Sequence, residues 1–246
     1  MDNPSRRRLR GPAAGVLTVG AVSLVVPALL SGPASAASPT ASSVISASKA
    51  AIGQQSSVHV VFAAKQGSSP QEKIVADAGK TSGKENITDG SGHVAIRVTP
   101  TDAYVSGNAS GLSSILGLTA SEAEKVGSRW IYWKSGTSQY STLKADVTMS
   151  SVTGLLPKAK GTNLSTTTVG GRQLYVLKWT EAATSSAPKL SNTLQLAATG
   201  PTLPVVAVST ASGGDRASTT LSGWGDPVVV TAPPSSSTVS APKITG

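Results

Sequence analysis

The side chains with the most distinctive chemistry in this chain are its two histidines, His59 and His93. A metal site would need both imidazoles and nearby carboxylates, because zinc in proteins is held by several nitrogen, sulfur or oxygen ligands. Each histidine falls in a β-type segment, so the fold could make them neighbours on a sheet. Imidazoles in such positions are more often surface or strand-edge groups. We therefore predict that the protein holds no metal and no cofactor.

Serine-based hydrolysis is the other chemistry that the residue types allow. A catalytic triad needs Ser, His and an acid held together by the fold, but serine is so abundant here that chance proximity means little. No Gly-x-Ser-x-Gly nucleophile elbow occurs in the sequence. Glu122 and Glu124 are two positions apart, and such residues do not face each other on a helix. We predict that the protein is not an enzyme, and a hydrolase with a spatially assembled site stays as the weaker alternative.

The glycine-rich segments offer no phosphate chemistry. Gly-Ser-Gly at residues 90–92 and Gly-Gly at residues 170–171 lack the lysine and the following helix of a phosphate-binding loop. Both are interpreted as turns. After the first ten residues, lysine and arginine are scattered rather than clustered, which argues against a nucleic-acid partner.

The densest aromatic segment covers residues 129–134, with the sequence Arg-Trp-Ile-Tyr-Trp-Lys. Strand alternation would place Trp130 and Tyr132 on one face and Ile131 and Trp133 on the other. Large rings on one face can fill a protein core. They can also line the mouth of a sheet that encloses an apolar ligand. The sequence leaves both interpretations open.

The elements that must position these residues are mostly strands. A first helix is predicted around Val44 to Ile52 and ends at Gly53. Residues 57–64 are rich in β-branched side chains, and residues 84–88 and 93–98 flank a glycine-rich turn that indicates a hairpin. Further strands are predicted at residues 103–105, 164–169, 173–180, 193–198, 205–209, 218–222 and 228–230.

A helical section separates the two groups of strands. Leucine and isoleucine at 112, 115, 116 and 118 form an apolar patch. Thr119 and Glu122 have the spacing of a capping box, and that helix would end at Gly127. Another helical patch runs to the break at Pro157. Strands and helices that do not alternate regularly indicate an antiparallel α+β domain.

The N-terminus has the pattern of an export signal. Four arginines within residues 6–10 precede an apolar stretch over residues 13–30, and Ala34-Ser35-Ala36 follows as a small-residue cleavage site. The stretch nearly reaches the roughly 17–25 residues that span a membrane, but Gly15, Gly20 and Pro27 interrupt it. We predict a signal peptide at residues 1–36, a domain at residues 37–234 and a loose Ser/Pro-rich tail at residues 235–246. The localisation that follows is secreted or in the cell envelope.

Composition limits the remaining possibilities. The chain has no cysteine, so it must fold outside the cytoplasm without disulfides and it carries no thiolate site. The net charge of +9 is partly due to the leader. It allows transient contact with a membrane surface. We expect a monomer.

Several motifs occur in an order that is similar to a known family. Residues 103–108 read Ala-Tyr-Val-Ser-Gly-Asn, residues 128–133 read Ser-Arg-Trp-Ile-Tyr-Trp, and residues 139–143 read Gln-Tyr-Ser-Thr-Leu. Late in the chain, Leu-Pro-Val at 203–205 precedes Trp-Gly-Asp-Pro at 224–227. In this order the chain resembles the actinobacterial LppX/LprG-type proteins, a branch of the LolA-like lipid carriers, over nearly all of its mature part.

The resemblance implies a curved antiparallel sheet, a half-open β-barrel, with short helices over its concave face and an apolar cavity between them. It implies binding of acyl chains or lipoglycans and no catalytic residues. Many relatives carry a lipobox cysteine where this chain has Ala34-Ser35-Ala36-Ala37, which argues against membrane anchoring and for release or for retention by cell-wall contacts.

We therefore predict an exported, non-enzymatic binding protein for an apolar, lipid-like ligand. An envelope protein with a filled core and no ligand is the principal alternative. The predicted ligand-lining residues are apolar or aromatic side chains on one face of the strands and on the helical patch. They are Val60, Phe62, Ile96, Val98, Ile115, Leu116, Leu118, Trp130 and Tyr132.

Overall fold

The structure is a computed structural model that describes residues 38–67, 69, 71–184 and 187–241. The predicted leader at residues 1–36 lies outside the described residues. Twelve strands form one sheet in the order β12-β6-β5-β4-β3-β2-β1-β11-β10-β9-β8-β7. The sheet is curved and does not close. The predicted α+β class with a half-open antiparallel sheet is confirmed.

The strands are β1 (Ser57–Lys65), β2 (Glu72–Gly79), β3 (Gly83–Asp89), β4 (Gly92–Val98), β5 (Asp102–Gly107), β6 (Trp130–Lys134), β7 (Asn163–Val169), β8 (Arg172–Glu181), β9 (Leu190–Ala197), β10 (Pro204–Ala211), β11 (Arg216–Ser222) and β12 (Thr238–Ser240). The helices are α1 (Ala41–Gln54), α2 (Ala109–Leu116), α3 (Ala120–Val126) and α4 (Ser138–Val147), with 3₁₀ helices at Met149–Leu155 and Ser235–Ser237.

The first strand lies in the middle of the sheet. β1 pairs with β2 on one side and with β11 on the other, both antiparallel. The sheet therefore has an N-terminal half, β2 to β6, and a C-terminal half, β7 to β11. The pairing of β12 with β6 is parallel and completes the edge of the N-terminal half.

The pairing register sorts the side chains onto two faces. Ile96 lies opposite Val105, and Val105 lies opposite Ile131. Directly opposed residues in an antiparallel sheet project to the same side. Successive pairs extend this row across β1 to β11, and the helices cover it. We call this the inner face, and the opposite side the outer face.

Three buried clusters hold the helices to the inner face. The largest joins β3 to β6 with α2, α3 and α4 and includes the fully buried Leu112 and Val105. A central cluster joins the end of α1 and the 3₁₀ helix Met149–Leu155 to β1 and β11 through Ile52 and Val152. The third packs α1 on β8 and β9 and includes Val44 and Leu194.

Local sequence explains where the helices start and stop. The predicted capping box of α3 is confirmed: the Glu122 backbone N–H donates to the Thr119 hydroxyl, and the Thr119 N–H donates to the Glu122 carboxylate at 2.7 Å. Gly127 ends the helix at φ +58°, a conformation that glycine adopts without strain. The hydrogen bonds that the Glu122 carboxylate accepts, first from the Thr119 backbone N–H and second from the Thr119 hydroxyl, lower the pKa of Glu122.

Glycine also allows α4 to approach the sheet closely. A Cβ on Gly83 would overlap the backbone oxygen of Val147, the last residue of α4. The missing side chain thus lets the end of α4 rest directly on β3. This contact places the first turn of the following 3₁₀ helix over the middle of the sheet.

Two features of the fold differ from the sequence prediction. Strand β2 was not predicted, because its sequence Glu-Lys-Ile-Val-Ala-Asp-Ala-Gly is rich in residues that are depleted from strands. Its position between β1 and β3 supplies the pairing that its own residues favour weakly.

The C-terminal segment is the second difference. Residues 228–230 were predicted as a strand but are irregular, and Val229 is 74% exposed. Prolines on both sides favour an extended backbone without strand pairing. In this segment the Thr231 carbonyl accepts a hydrogen bond from the Arg97 side chain. The predicted loose tail at residues 235–246 is wrong over Thr238–Ser240, which forms β12 with Val239 buried.

Candidate functional site

In the described part of the chain, three cavities lie on the inner face of the sheet beneath α2, α4 and the 3₁₀ helix Met149–Leu155, and we call them A, B and C. A separate cavity of about 320 Å³ lies at the edge of the sheet, beside Pro39 and strands β7 and β8. Cavity A has a volume of about 200 Å³ and lies beside α2, α4 and β6. Its floor and walls are apolar, and α4 adds a polar rim. The lining residues are Ile96, Ile115, Leu116, Trp133, Ser138, Gln139, Thr142, Leu143 and Asp146.

Cavity B lies over the centre of the sheet and has a volume of about 170 Å³. It sits between β1 to β3 and the end of α4 with the 3₁₀ helix. Its lining is apolar except for a few groups. The polar members are Glu85, Asp146, Ser151 and Thr219, and the apolar members include Val60, Phe62, Ile74, Val152 and Leu221.

Cavity C lies on the C-terminal half of the sheet and has a volume of about 160 Å³. Its floor comes from β1 and from β8 to β11, and the 3₁₀ helix contributes Gly154 and Leu155 above it. Compared with A and B, it carries more polar groups. Those on its floor include Glu181, Asn192, Ser209 and Thr219.

Neighbouring cavities share wall residues, so they lie next to one another in a row along the inner face. Asp146 lines both A and B. Phe62, Leu155 and Thr219 line both B and C. The partition between B and C therefore consists of side chains, one of which is the only phenylalanine in the chain. We call the three cavities together the cavity row.

A chain of hydrogen bonds organises the polar floor of cavity C. The Ser209 hydroxyl donates to the Asn192 side-chain oxygen at 2.6 Å, and the Asn192 amide donates to Glu181 at 3.2 Å. The Trp179 indole N–H donates to the same Glu181 oxygen at 3.2 Å. Asn192 is buried, whereas Glu181 is exposed at the end of the chain of bonds. The network therefore runs from the interior to the surface.

The structure brings five of the predicted ligand-lining residues to the cavity row. Ile96, Ile115 and Leu116 line cavity A, and Val60 and Phe62 line cavity B. Val98 and Leu118 face the same side but belong to the packed core between β3 to β6 and the helices. Val98 is fully buried there.

The sequence prediction placed Trp130 and Tyr132 of β6 on the inner face, and this was wrong. Trp130 and Tyr132 lie on the outer face, where the Arg97 guanidinium is 4.5 Å from the centre of the Trp130 ring. Tyr132 pairs with Tyr104 at a ring distance of 6.5 Å. Ile131 and Trp133 face the helices instead. Both faces of this strand carry aromatic rings, so alternation alone could not show which one is inside.

Several lining residues were not predicted. Trp133 in cavity A would have followed from the opposite register for β6. Leu155 and Trp179 required knowledge of the 3₁₀ helix and of β8 lying under it. The sequence signal at Trp179 was present, since an isolated tryptophan in an otherwise polar strand end indicates a specific contact.

The outer face of the sheet holds an ionic cluster around Asp77. The Asp77 carboxylate lies 2.6 Å from His59 Nδ1 and 3.1 Å from the Lys84 ammonium. Burial alone would raise the pKa of Asp77, but the hydrogen bonds from His59 and Lys84, together with their charges, lower it below its ordinary value. The cluster joins β1, β2 and β3 on the side away from the cavity row.

The two histidines lie apart, on β1 and β4. The Thr88 hydroxyl lies 3.4 Å from His93 Nδ1. Within the described part of the chain, no group of three or more His, Asp or Glu side chains could hold a metal ion. No serine hydroxyl in that part bonds to His59, whose hydrogen-bond partner is Asp77.

None of the helices in the described residues has the length and apolar character needed to cross a membrane.

Comparison with known proteins gives similarity at the level of structure. No family model matches the chain, and no curated protein matches it. Among solved structures, the lipoprotein LppX of Mycobacterium tuberculosis is similar with 19% identity and a TM-score of 0.47, over 78% of this chain and 98% of that chain.

Two further solved structures are similar at lower scores. A LolA superfamily protein from Nitrosomonas europaea has 12% identity and a TM-score of 0.31, over 78% of this chain and 96% of that chain. A DUF1329 family protein from Desulfovibrio piger has 8% identity and a TM-score of 0.30, over 77% of this chain and 94% of that chain.

Proposed function

We propose that this protein is an exported, non-enzymatic binding protein for an apolar, lipid-like ligand that lies along the cavity row. The observation that carries this proposal is the row itself: cavity A shares a wall residue with B, and B shares wall residues with C, beneath the helices that cover the inner face. A fully packed core of the same size would leave few such voids.

The dimensions favour an elongated ligand. Each cavity holds about 160–200 Å³, whereas small-molecule sites usually hold about 300–1,000 Å³. A ligand of that size would have to occupy more than one cavity, and a ligand that extends from B into C would have to displace the Phe62 side chain between them. A flexible acyl chain fits this requirement, because it can bend along the curved sheet and needs no fixed shape.

Burial of apolar surface supplies the binding energy. Removing an acyl chain from water contributes roughly 25 cal/mol per Å², or about 0.8 kcal/mol for each buried CH₂ group. No covalent step and no cofactor is required for such a cycle of loading and release. The hydrolase alternative gains no support, since neither His59 nor His93 is hydrogen-bonded to a serine hydroxyl among the described residues.

The proposed site of action is the cell envelope or the exterior. We propose that residues 1–36 are removed as a signal peptide, which would leave a mature chain whose helix α1 begins at Ala41. N-terminal sequencing of secreted protein should start at or close to Ala37, and intact Met1 on membrane-bound protein would contradict this. We propose a monomer that touches membrane surfaces transiently, which sedimentation and vesicle flotation would check.

A matched pair of substitutions on α2 tests the cavity. Leu116 lines cavity A, whereas Leu112 is fully buried in the packed core four positions earlier in the same helix. We expect Leu116→Trp to leave the thermal midpoint nearly unchanged and to abolish binding of a neutral fluorescent probe, N-phenyl-1-naphthylamine, at cavity A. Leu112→Trp should destabilise the fold by about 1–3 kcal/mol, because it overpacks a filled site.

The same experiment separates the proposal from the filled-core alternative. If the parent protein binds no probe and Leu116→Trp destabilises as much as Leu112→Trp, the protein has no ligand cavity. Extraction of purified protein with organic solvent, followed by mass spectrometry, gives an independent result, since a carrier should retain copurified lipid.

A further inference from the structure

The charges along the cavity row differ from those of the chain as a whole. The chain has 21 lysines and arginines against 12 acidic residues. Among the described residues that line cavities A, B and C, the charged ones are Asp146, Glu85 and Glu181, and none is basic. An overall basic protein therefore offers no basic side chain to an anionic group among the described residues that line the row.

Cavity C adds a hydrogen-bonding site at one end of the row. One oxygen of Glu181 already accepts from the Trp179 indole and from the Asn192 amide. A carboxylate can accept about four hydrogen bonds over its two oxygens, and no described residue donates to the second oxygen of Glu181, so we assign that oxygen to the ligand. Glu181 forms no ion pair within the described part of the chain. The free capacity of this carboxylate is for accepting hydrogen bonds from a ligand.

The geometry of the network fixes the carboxylate in place. Trp179 and Asn192 both donate to Glu181 Oε1, and Ser209 holds Asn192 from the other side at 2.6 Å. The Trp179 side chain lines the cavity next to this carboxylate. Its ring face can contact the C–H groups of a polyol or attract a cation. An anionic head would meet the fixed negative charge instead.

We infer that cavity C seats the polar head of an amphiphilic ligand, and that this head carries hydrogen-bond donors, hydroxyl or ammonium, and no negative charge. The apolar tail then runs through cavity B to cavity A. This inference rests on the proposed function, because it assigns a direction and a head chemistry to the ligand of the same row.

Three probes with the same C18 chain test the head chemistry: monoolein with a glycerol head, oleylamine with an ammonium head, and oleate with a carboxylate head. Each is titrated against protein loaded with N-phenyl-1-naphthylamine at neutral pH and low salt. We expect monoolein or oleylamine to displace the probe about tenfold more effectively than oleate. The repulsion between one carboxylate head and one carboxylate side chain near a protein surface is large enough to change affinity by about this factor. The better of the two identifies hydroxyl or ammonium as the preferred donor.

Substitutions then locate the head. Glu181→Gln keeps the shape of the side chain and removes its charge, so oleate should approach monoolein to within about twofold. Glu124→Gln, on the exposed surface of α3, is the control and should leave the ratio unchanged. Asp146→Asn, between cavities A and B, should change the ratio less than Glu181→Gln does.

The outcomes are distinguishable from failure of the proposed function. If neither the neutral probe nor any C18 lipid binds, the proposed function is wrong. If the lipids bind but oleate competes as well as the other two, the head chemistry is wrong. If Asp146→Asn alters the ratio more than Glu181→Gln, the head lies between A and B, and the assigned direction is overturned.

Discussion

The two halves of the sheet are covered differently. Strands β3 to β6 pack against α2, α3 and α4 through the largest buried cluster, and cavity A opens at its margin. Strands β7 to β11 are covered by α1 and by the end of one 3₁₀ helix, over a smaller buried cluster. The N-terminal half therefore has the more extensive packing, and the C-terminal half leaves more of its inner face uncovered.

The chemistry of the inner face follows the same division. Val94, Ile96, Val105 and Ile131 make the N-terminal half apolar, and all are buried. The C-terminal half instead places Asn192, Ser209 and Thr219 on its inner face beside cavity C. The two halves would thus hold different parts of one ligand. We expect substitutions in the N-terminal half to affect stability most and those around cavity C to affect binding most.

The largest expected effect is a substitution at the contact between α4 and β3. Gly83→Ala would force a Cβ into the Val147 backbone oxygen, so α4 must move away from the sheet. Overpacking typically costs about 1–3 kcal/mol of unfolding free energy. We expect Gly83→Ala to cost at least the upper end of this range, measured by urea denaturation. The control is Gly53→Ala in α1, where a Cβ meets nothing within 4 Å. It should be neutral or stabilise by about 0.4–1 kcal/mol. Equal behaviour of the two variants would show that α4 is not held tightly at this point.

A smaller effect is expected at the start of α3. Thr119→Ala removes the hydroxyl that accepts from the Glu122 N–H and should cost roughly 0.5–2 kcal/mol. Thr119→Ser retains the hydroxyl and serves as the control. Because α3 packs on the N-terminal half, the loss should appear in the global denaturation midpoint. A loss confined to local hydrogen exchange in α3 would mean that this helix is not part of the cooperative core.

The smallest expected effect is pH-dependent and lies on the outer face. The lowered pKa of Asp77 means that its ionised form is stabilised in the folded protein. This stabilisation is present above the ordinary pKa of 3.8 and is lost as the pH falls through the lower folded value. Asp77→Asn should therefore reduce stability slightly at neutral pH and have no effect well below pH 3.8. A constant difference at all pH values would show that the charge of Asp77 does not contribute.

The sequence was most informative where short-range chemistry decides the structure. The capping box at Thr119 and the hairpin turn at residues 89–92 depend on residues within a few positions of each other, and both were predicted. The face of β6 depends on which side the helices cover, and Trp130 and Trp133 gave equal evidence for either side. Strand β2 has weak β-propensity and exists because β1 and β3 flank it.

The candidate site was predictable only in part, for a related reason. Val60, Phe62, Ile96, Ile115 and Leu116 could be chosen because they are apolar and lie at the expected spacing. Asn192, Ser209 and Glu181 come from three strands that meet only in the folded sheet. Their hydrogen-bonded arrangement has no signature in the linear sequence, where each is an ordinary polar residue.

The pairing of β1 with β11 has a consequence for the order of folding. The centre of the sheet joins residues 57–65 to residues 216–222, so it cannot form until nearly the whole chain is available. Contacts of such long sequence separation make folding slow. If the chain leaves the cell N-terminus first, β1 has an unpaired edge until β11 emerges, and unpaired edges favour aggregation. The protein would then need protection by a chaperone on the outer side of the membrane during this interval.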